Sequence, residues 1–263
     1  MNNAVVLGAS TGTGAAITKA LATYGNQRWD RVVGFHRGRH MREVAEIIRT
    51  VPYVQLHNQD VGSCYNAVQA GLDIVAEAVT ARSVDVLVHA LSGAAVCATF
   101  DTSPPEVERT FSTMAHSFLW WAQGLHLRGL LAPNATLIAL SNPVAENYLR
   151  HSGVIGPAKA ALEAYVKALA VEMGRSGKRV FAIRFGAVAT PALEKVIPAA
   201  AVLMESLHQR ISPARRMQTA DEIAAFVALL ADRGEATAAL NGAVIDFTFG
   251  AHLTLLDAAF GGR

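Results

Sequence analysis

Cysteine is scarce in this chain. Its 263 residues hold two, Cys64 and Cys97, and neither lies in a CxxC or metal-ligand spacing. That excludes a disulfide framework or a zinc module, so both thiols read as small apolar fillers and a reducing, cytoplasmic location is expected. Charge is also low. Asp, Glu, Lys and Arg make up 17% of the chain and the net charge is +2, which gives no reason to expect nucleic acid or a membrane surface as a partner. No uninterrupted apolar run reaches the roughly 18 residues of a membrane-spanning helix. The start, Met1–Leu7, has no basic region leading into a long apolar one, so no secretory signal is expected. The nine histidines are scattered without ligand spacing, and no metal is expected. No Pro/Gly/Ser-rich linker divides the chain and no segment repeats, so residues 1–263 read as one domain.

What the chain does contain is apolar surface to bury. Hydrophobic residues make up 52%, enough for one large core, with subunit interfaces as a second place to put them. Short apolar runs at Ala4–Leu7, Arg31–Phe35, Val54–His57, Val84–Ala90, Ala135–Leu140, Arg179–Phe185 and Ala243–Phe247 read as strands. Between them lie segments with helical spacing: Ala15–Tyr24, Met41–Val51, Tyr65–Ala81, Pro105–Leu131, Val154–Gly174, Ala192–Ile211 and Ala220–Ala231, the last begun by a cap at Thr219/Asp221. Strands without period-2 polarity, alternating with helices, imply a doubly wound α/β fold with seven parallel strands covered on both faces. Ligands of such sheets bind at the carboxyl ends of the strands.

The first strand runs into Gly8-Ala-Ser10-Thr11-Gly12-Thr13-Gly14 and then a helix. A glycine turn at a helix N-terminus lets backbone N–H groups approach a pyrophosphate. About 20 residues further on, where an acidic residue would bind the ribose 2′-hydroxyl of NAD, the chain reads His36-Arg37-Gly-Arg39. Arg37 suits a 2′-phosphate, so NADPH is the expected cofactor, with a solvated basic loop as the alternative. Asp60, before Val61, can accept from an adenine amine or cap the following helix.

GxxxGxG at the start, Asp60-Val61, Ala-Lys159-Ala-Ala-Leu-Glu-Ala and Asn241-Gly242 together resemble the short-chain dehydrogenase/reductase superfamily over nearly the whole chain. The lysine segment and Ala187-Val188-Ala-Thr190-Pro-Ala-Leu are most similar to enoyl-acyl-carrier-protein reductases, in the branch that uses NADPH. The resemblance implies a Rossmann-type sheet and a cofactor lying across the strand ends, walled also by Ala90, Gly186, Val188 and Thr190. It implies Lys159 on the ribose and a homotetramer or dimer, into which Trp120 and Trp121 could pack as readily as into a core.

The chemical half departs from that pattern. A tyrosine phenol usually serves as proton donor beside the lysine. It would stand four or seven residues before Lys159, where this chain has Ile155 and Ser152. A helical asparagine is replaced near Met114, a hydroxyl after the fifth strand by Asn142 with Ser141 beside it, and Pro-Gly after the sixth strand by Phe185-Gly186. The remaining candidate acids are Tyr148 and His151, in a loop ahead of a helix that Gly153, Gly156 and Pro157 force to start late, and Ser152 or a water it holds. Leu193, Val196, Ile197, Val202, Leu203, Met204 and Leu207 form an apolar stretch in the position of a substrate lid, with packing in a core or a dimer face as the equal alternative. The expectation is an NADPH-dependent reductase of an enoyl or keto group on an apolar acyl thioester, carrier-bound or free, or a secondary metabolite. A non-redox cyclase, dehydratase or isomerase on the same fold, or an inactive nucleotide-binding protein, are the competing readings.

Overall fold

Strands with two apolar faces must be covered on both sides. A computed structural model of the protein, which describes residues 2–23, 29–51, 53–94, 96–190, 193–194, 199–231 and 235–254, shows how this is done. The strands are β1 (Asn3–Leu7), β2 (Arg31–His36), β3 (Val54–Asn58), β4 (Val84–His89), β5 (Leu131–Ser141), β6 (Arg179–Phe185) and β7 (Val244–Phe247). They form one parallel sheet in the order β3-β2-β1-β4-β5-β6-β7. The helices are α1 (Gly12–Thr23), α2 (Met41–Thr50), α3 (Tyr65–Ala78), α4 (Pro104–Phe111), α5 (Ser117–Leu127), α6 (Ile155–Gly174), α7 (Ala200–Ile211) and α8 (Ala220–Ala231). The expected doubly wound α/β sheet is the one observed.

The two faces of the sheet are filled by alternate residues of the same strands. Val5, Leu7, Val33 and Phe35 join Leu72, Phe118, Trp121, Leu162 and Val166 in one core. Ala4, Val6 and Val32 join Ile17, Leu21, Ile223, Val227 and Leu230 in the other. Trp121 is fully buried, and its indole Nε1–H donates to the Val61 carbonyl at 2.9 Å. Burial of an indole is favourable only when that N–H is satisfied, as it is here, so Trp121 belongs to the core within the chain. Asn241 also has a structural task. Its Oδ1 accepts from the Val180 amide at 2.8 Å and its Nδ2 donates to the Ala170 carbonyl at 2.9 Å, tying α6 to β6.

The main departures from the sequence-based expectation lie in four elements. The long helix expected over Pro105–Leu131 is divided into α4, a π-helical turn at Ser112–His116, and α5. A capping box between Ser103 and Glu106 starts it one residue early, with Pro104 in the first turn. At the π turn, Ser117 Oγ donates back to the Thr113 carbonyl at 2.8 Å, a bond that competes with the regular ladder. β5 begins at Leu131, four residues before the expected start, because Leu131 pairs with Val84 across a register shift that leaves Pro133 and Asn134 exposed. The helix expected over Ala192–Ile211 is described as a helical turn at Leu193 and Glu194 and as α7; Val196, Ile197 and Pro198 lie outside the described residues. The cap of α8 is Thr219 paired with Glu222 rather than Asp221.

β1 sits between β2 and β4, where the winding of the sheet reverses. The crevice opens outside the carboxyl ends of the strands at this point.

Candidate active site

A cleft of about 400 Å³ occupies that crevice. Its first wall is the loop from Gly8 to the start of α1. The amides of Gly8 and Ala9 both donate to the Phe35 carbonyl, at 3.1 and 2.9 Å, which fastens the loop to the end of β2. Gly8 has φ +90°, and a Cβ there would stand 2.7 Å from the Ala90 carbonyl oxygen. A Cβ on Gly14 would stand 1.9 Å from the Gly8 carbonyl oxygen. The loop is therefore a backbone cradle that side chains would fill. Ser10, Thr11, Gly12, Thr13 and Gly14 line the cleft, which places the start of α1, the end of a helix that lacks intrahelical acceptors for its first amides, on this wall. These features fit a pyrophosphate held at a helix N-terminus.

The end of β2 supplies the cationic side. Arg37, Arg39 and His40 line the cleft, and Arg37 Nη2 donates to the Ser92 carbonyl at 3.3 Å. Burial lowers the pKa of His36, whose Nδ1 accepts the Gly38 amide at 3.1 Å and shapes the turn that presents Arg37. Asp60 and Val61 also line the cleft. Asp60 Oδ1 accepts the amides of Gly62 and Ser63 at 2.9 and 3.0 Å, which closes a turn ahead of α3; the N-cap of α3 is Cys64, so Asp60 does not cap that helix, and it contributes to the wall.

The other wall carries the candidate chemistry. Lys159 is 5% exposed, lines the cleft, and donates from Nζ to the Leu140 carbonyl at 2.6 Å. Burial pushes its ammonium down to about 8, against the charge of Glu163, which acts to raise it. Ser152 also lines the cleft and is 3% exposed. Its hydroxyl proton is committed to the Leu149 carbonyl at 2.6 Å, so it offers the cleft an acceptor. Ser141 lines the cleft, but its hydroxyl donates to Glu163 Oε1 at 2.6 Å. Ala90, Gly186, Val188 and Thr190 complete the wall; a Cβ on Gly12 would meet Thr190 Cγ2 at 3.1 Å, so the two loops touch.

Two sequence-predicted residues are not brought into this group. Tyr148 is 70% exposed and His151 is exposed in the left-handed region at φ 64°; neither lines the cleft. Their loop presents Leu149 and Ser152 to the cleft instead. It is seated by Gly153 and Gly156, whose missing Cβ atoms would lie 2.5 Å from Thr99 Oγ1 and from the Val144 carbonyl oxygen. Of the apolar lid stretch, Leu193 lines the cleft, while Val202, Leu203 and Leu207 are exposed on α7.

Sequence reasoning missed three residues behind this wall. His89 is fully buried; its Nε2 lies 2.8 Å from Ser117 Oγ, whose own proton goes to Thr113, so the network places the imidazole hydrogen on Nε2. Burial, then the charge of Lys159, pushes its pKa down to about 3, so it is neutral. Arg184 and Glu163 form a buried pair: Nη2 to Oε2 at 2.7 Å and Nε to Oε1 at 3.2 Å. Arg184 also reaches Asp246 at 3.2 Å and Glu146 at 2.9 Å. The available signal was a charged residue inside an apolar strand, which is rarely buried unless paired.

Comparison with known proteins agrees with this fold. The family described as enoyl-(acyl carrier protein) reductase matches residues 8–252. An enoyl-[acyl-carrier-protein] reductase [NADH] 2 of Rhizobium meliloti (strain 1021) is 29% identical over 217 residues, covering 79% of this chain and 75% of that protein. The enoyl-[acyl-carrier-protein] reductase [NADH] FabI of Escherichia coli (strain K12) is 31% identical over 129 residues, about half of each chain at 49% and 48%. A short-chain dehydrogenase from Burkholderia cenocepacia J2315, solved in complex with NADP, superposes with a TM-score of 0.80 at 22% identity, covering 95% of this chain and 98% of that one. Among the described residues, no helix is long and apolar enough to cross a membrane.

Proposed function

This chain belongs to the enoyl-(acyl carrier protein) reductase family, within the short-chain dehydrogenase/reductase superfamily, and on that premise we propose that it reduces the enoyl or keto group of an apolar acyl thioester or secondary-metabolite substrate with NADPH, using no phenol as proton donor. The observation that carries this reading is the convergence of the glycine cradle, Arg37 and buried Lys159 on one cleft whose described lining includes no tyrosine.

The glycine loop and the first turn of α1 would hold the pyrophosphate, and Lys159 the ribose beside the nicotinamide. When bound, the nicotinamide supplies hydride. The similar proteins from Rhizobium and Escherichia are named for NADH; in this chain Arg37 and Arg39 face the cleft just after β2, where a carboxylate would repel a 2′-phosphate and a guanidinium binds it. That supports NADPH here.

For the proton, the reading rests on Lys159 and Ser152. An ammonium with a pKa of about 8 is charged at neutral pH and is a far better acid than an ordinary lysine. Ser152, with its hydroxyl proton turned to Leu149, accepts a hydrogen bond from a water and so orients it between Lys159 and the substrate oxygen. Met114, Val144, Leu149, Ile155 and Leu193 make this end of the cleft apolar, which favours an acyl chain.

The test is NADPH oxidation by the purified chain against a panel of enoyl thioesters, enones and ketones. Oxidation with at least one of them, lost in Lys159→Met, is the expected result. NADPH binding without oxidation across the panel, or turnover by nicotinamide-free protein, overturns the reading.

A further inference from the structure

Lys159 and Glu163 are four residues apart on α6, the spacing at which helical side chains face each other. A buried lysine and a buried glutamate so placed ordinarily pair, because an unpaired buried charge is strongly destabilising. Here they do not. Both oxygens of Glu163 are taken by Arg184, with Ser141 Oγ on Oε1 as well, and Lys159 donates to the Leu140 carbonyl at 2.6 Å. Arg184 is in turn held by Asp246 on β7 and by Glu146 in the loop that carries Leu149 and Ser152 to the cleft.

We propose that Arg184 is a positioning residue for Lys159: by binding both oxygens of Glu163 it holds that carboxylate away from Lys159 and leaves the lysine on Leu140, facing the cleft. This deepens the reductase reading and rests on it for the importance of Lys159. The groups packed about Lys159 are consistent with that role. On its own helix there is Glu163, and further along Tyr165, bonded to His116 of the π turn. On β4 there is His89, neutral at every pH of interest. On β6 there is Arg184, with Asp246 and Glu146 beyond it, while β5 presents Ser141 and a carbonyl. Among the described residues Glu163 is the carboxylate whose charge acts on Lys159, and Arg184 holds both of its oxygens.

The experiment is competitive acetylation of the full, cofactor-free chain with acetic anhydride across a pH series, reading the Lys159 peptide by mass spectrometry. Wild type should label with a midpoint near about 8. Arg184→Met releases Glu163 to pair with Lys159 and should raise the midpoint by about 1–3 pH units, the range for an opposite charge brought into contact. Arg184→Lys keeps a cation but cannot bind both oxygens in the same fork, and should give a smaller rise of the same sign. Arg184→Met combined with Glu163→Gln should lose the rise. An unmoved midpoint in Arg184→Lys or in Arg184→Met overturns the proposal, as does a rise that survives Glu163→Gln; should Arg184→Met fail to fold, Arg184→Lys decides. A general loss of stability would move none of these midpoints selectively. The protein is labelled without cofactor, so the result stands apart from whether it oxidises NADPH.

Discussion

Replacing Gly14 with alanine tests the cradle at its tightest point. A Cβ there lies 1.9 Å from the Gly8 carbonyl oxygen, and such contacts do not fall below 3.0 Å, so loop and helix must separate by about 1.1 Å. The obstacle is backbone on both sides, which cannot rotate away. Overpacking of this kind costs about 1–3 kcal/mol, equivalent to roughly 2–12 °C in Tm for a chain of this size. The same displacement moves the amides that would hold the pyrophosphate. Loss of one charge-assisted hydrogen bond, worth about 1.5–3 kcal/mol, weakens binding about 10–150-fold. Gly129→Ala is the control: Gly129 has φ +65° and nothing within 4 Å of its added Cβ, so it brings a left-handed strain that the helical Gly14 does not have, and no clash. Thermal unfolding and NADP titration by calorimetry read both effects. If Gly14→Ala binds NADP as wild type does, or if Gly129→Ala loses as much affinity, the cradle argument is wrong.

Arg37→Ala should lower affinity for NADPH by about 10–150-fold through the loss of a charge-assisted phosphate contact, with NADH affinity little changed, as measured by parallel titrations. Ser152→Ala should lower kcat by about 100-fold, the lower end of the range for acid–base groups, whereas Tyr148→Phe should leave it within about two-fold. A large loss in Tyr148→Phe alone would move the acid to that loop. Lys159→Met should stabilise the protein. The unfolded chain takes up this proton near 10.5 and the folded chain near about 8, so below 8 folding carries a buried ammonium, and the penalty fades as pH rises from 8 to 10.5. The variant should gain on the order of 2–3 kcal/mol at pH 7, after its lost bond to Leu140, and nothing above the unfolded pKa. Denaturant unfolding at several pH values checks both size and direction.

The sheet was legible because its signal is local: β1, β2, β4, β5 and β6 each contain a buried apolar run, while β3, Val-Gln-Leu-His-Asn, is the weakest of the strands. Boundaries failed where tertiary partners decide them. At the π turn Ser117 meets Thr113 and also His89, which lies 28 residues before it, and no short window of sequence contains that contact. The nucleotide wall was readable because Gly8, Gly12 and Gly14 are defined by what they lack, a property visible in the letters. The acid/base wall was not. Spacing from Lys159 located Ser152, but only packing shows that Tyr148 turns to solvent and that Ser141 is occupied by Glu163. The Arg184–Glu163 pair joins β6 to α6 across 21 residues, and the sequence marks it only as a charge out of place in an apolar strand.

The central claim, a nicotinamide-dependent reductase whose proton comes from buried Lys159 and not from a phenol, is tested most directly by the pH dependence of kcat/KM for NADPH oxidation. An acid of pKa about 8 must be protonated to work, so the rate should hold below that pH and fall as pH rises through it. A rate that stays level from pH 7 to the ordinary phenol range near 10 and falls only there would contradict the account and return the proton to a tyrosine.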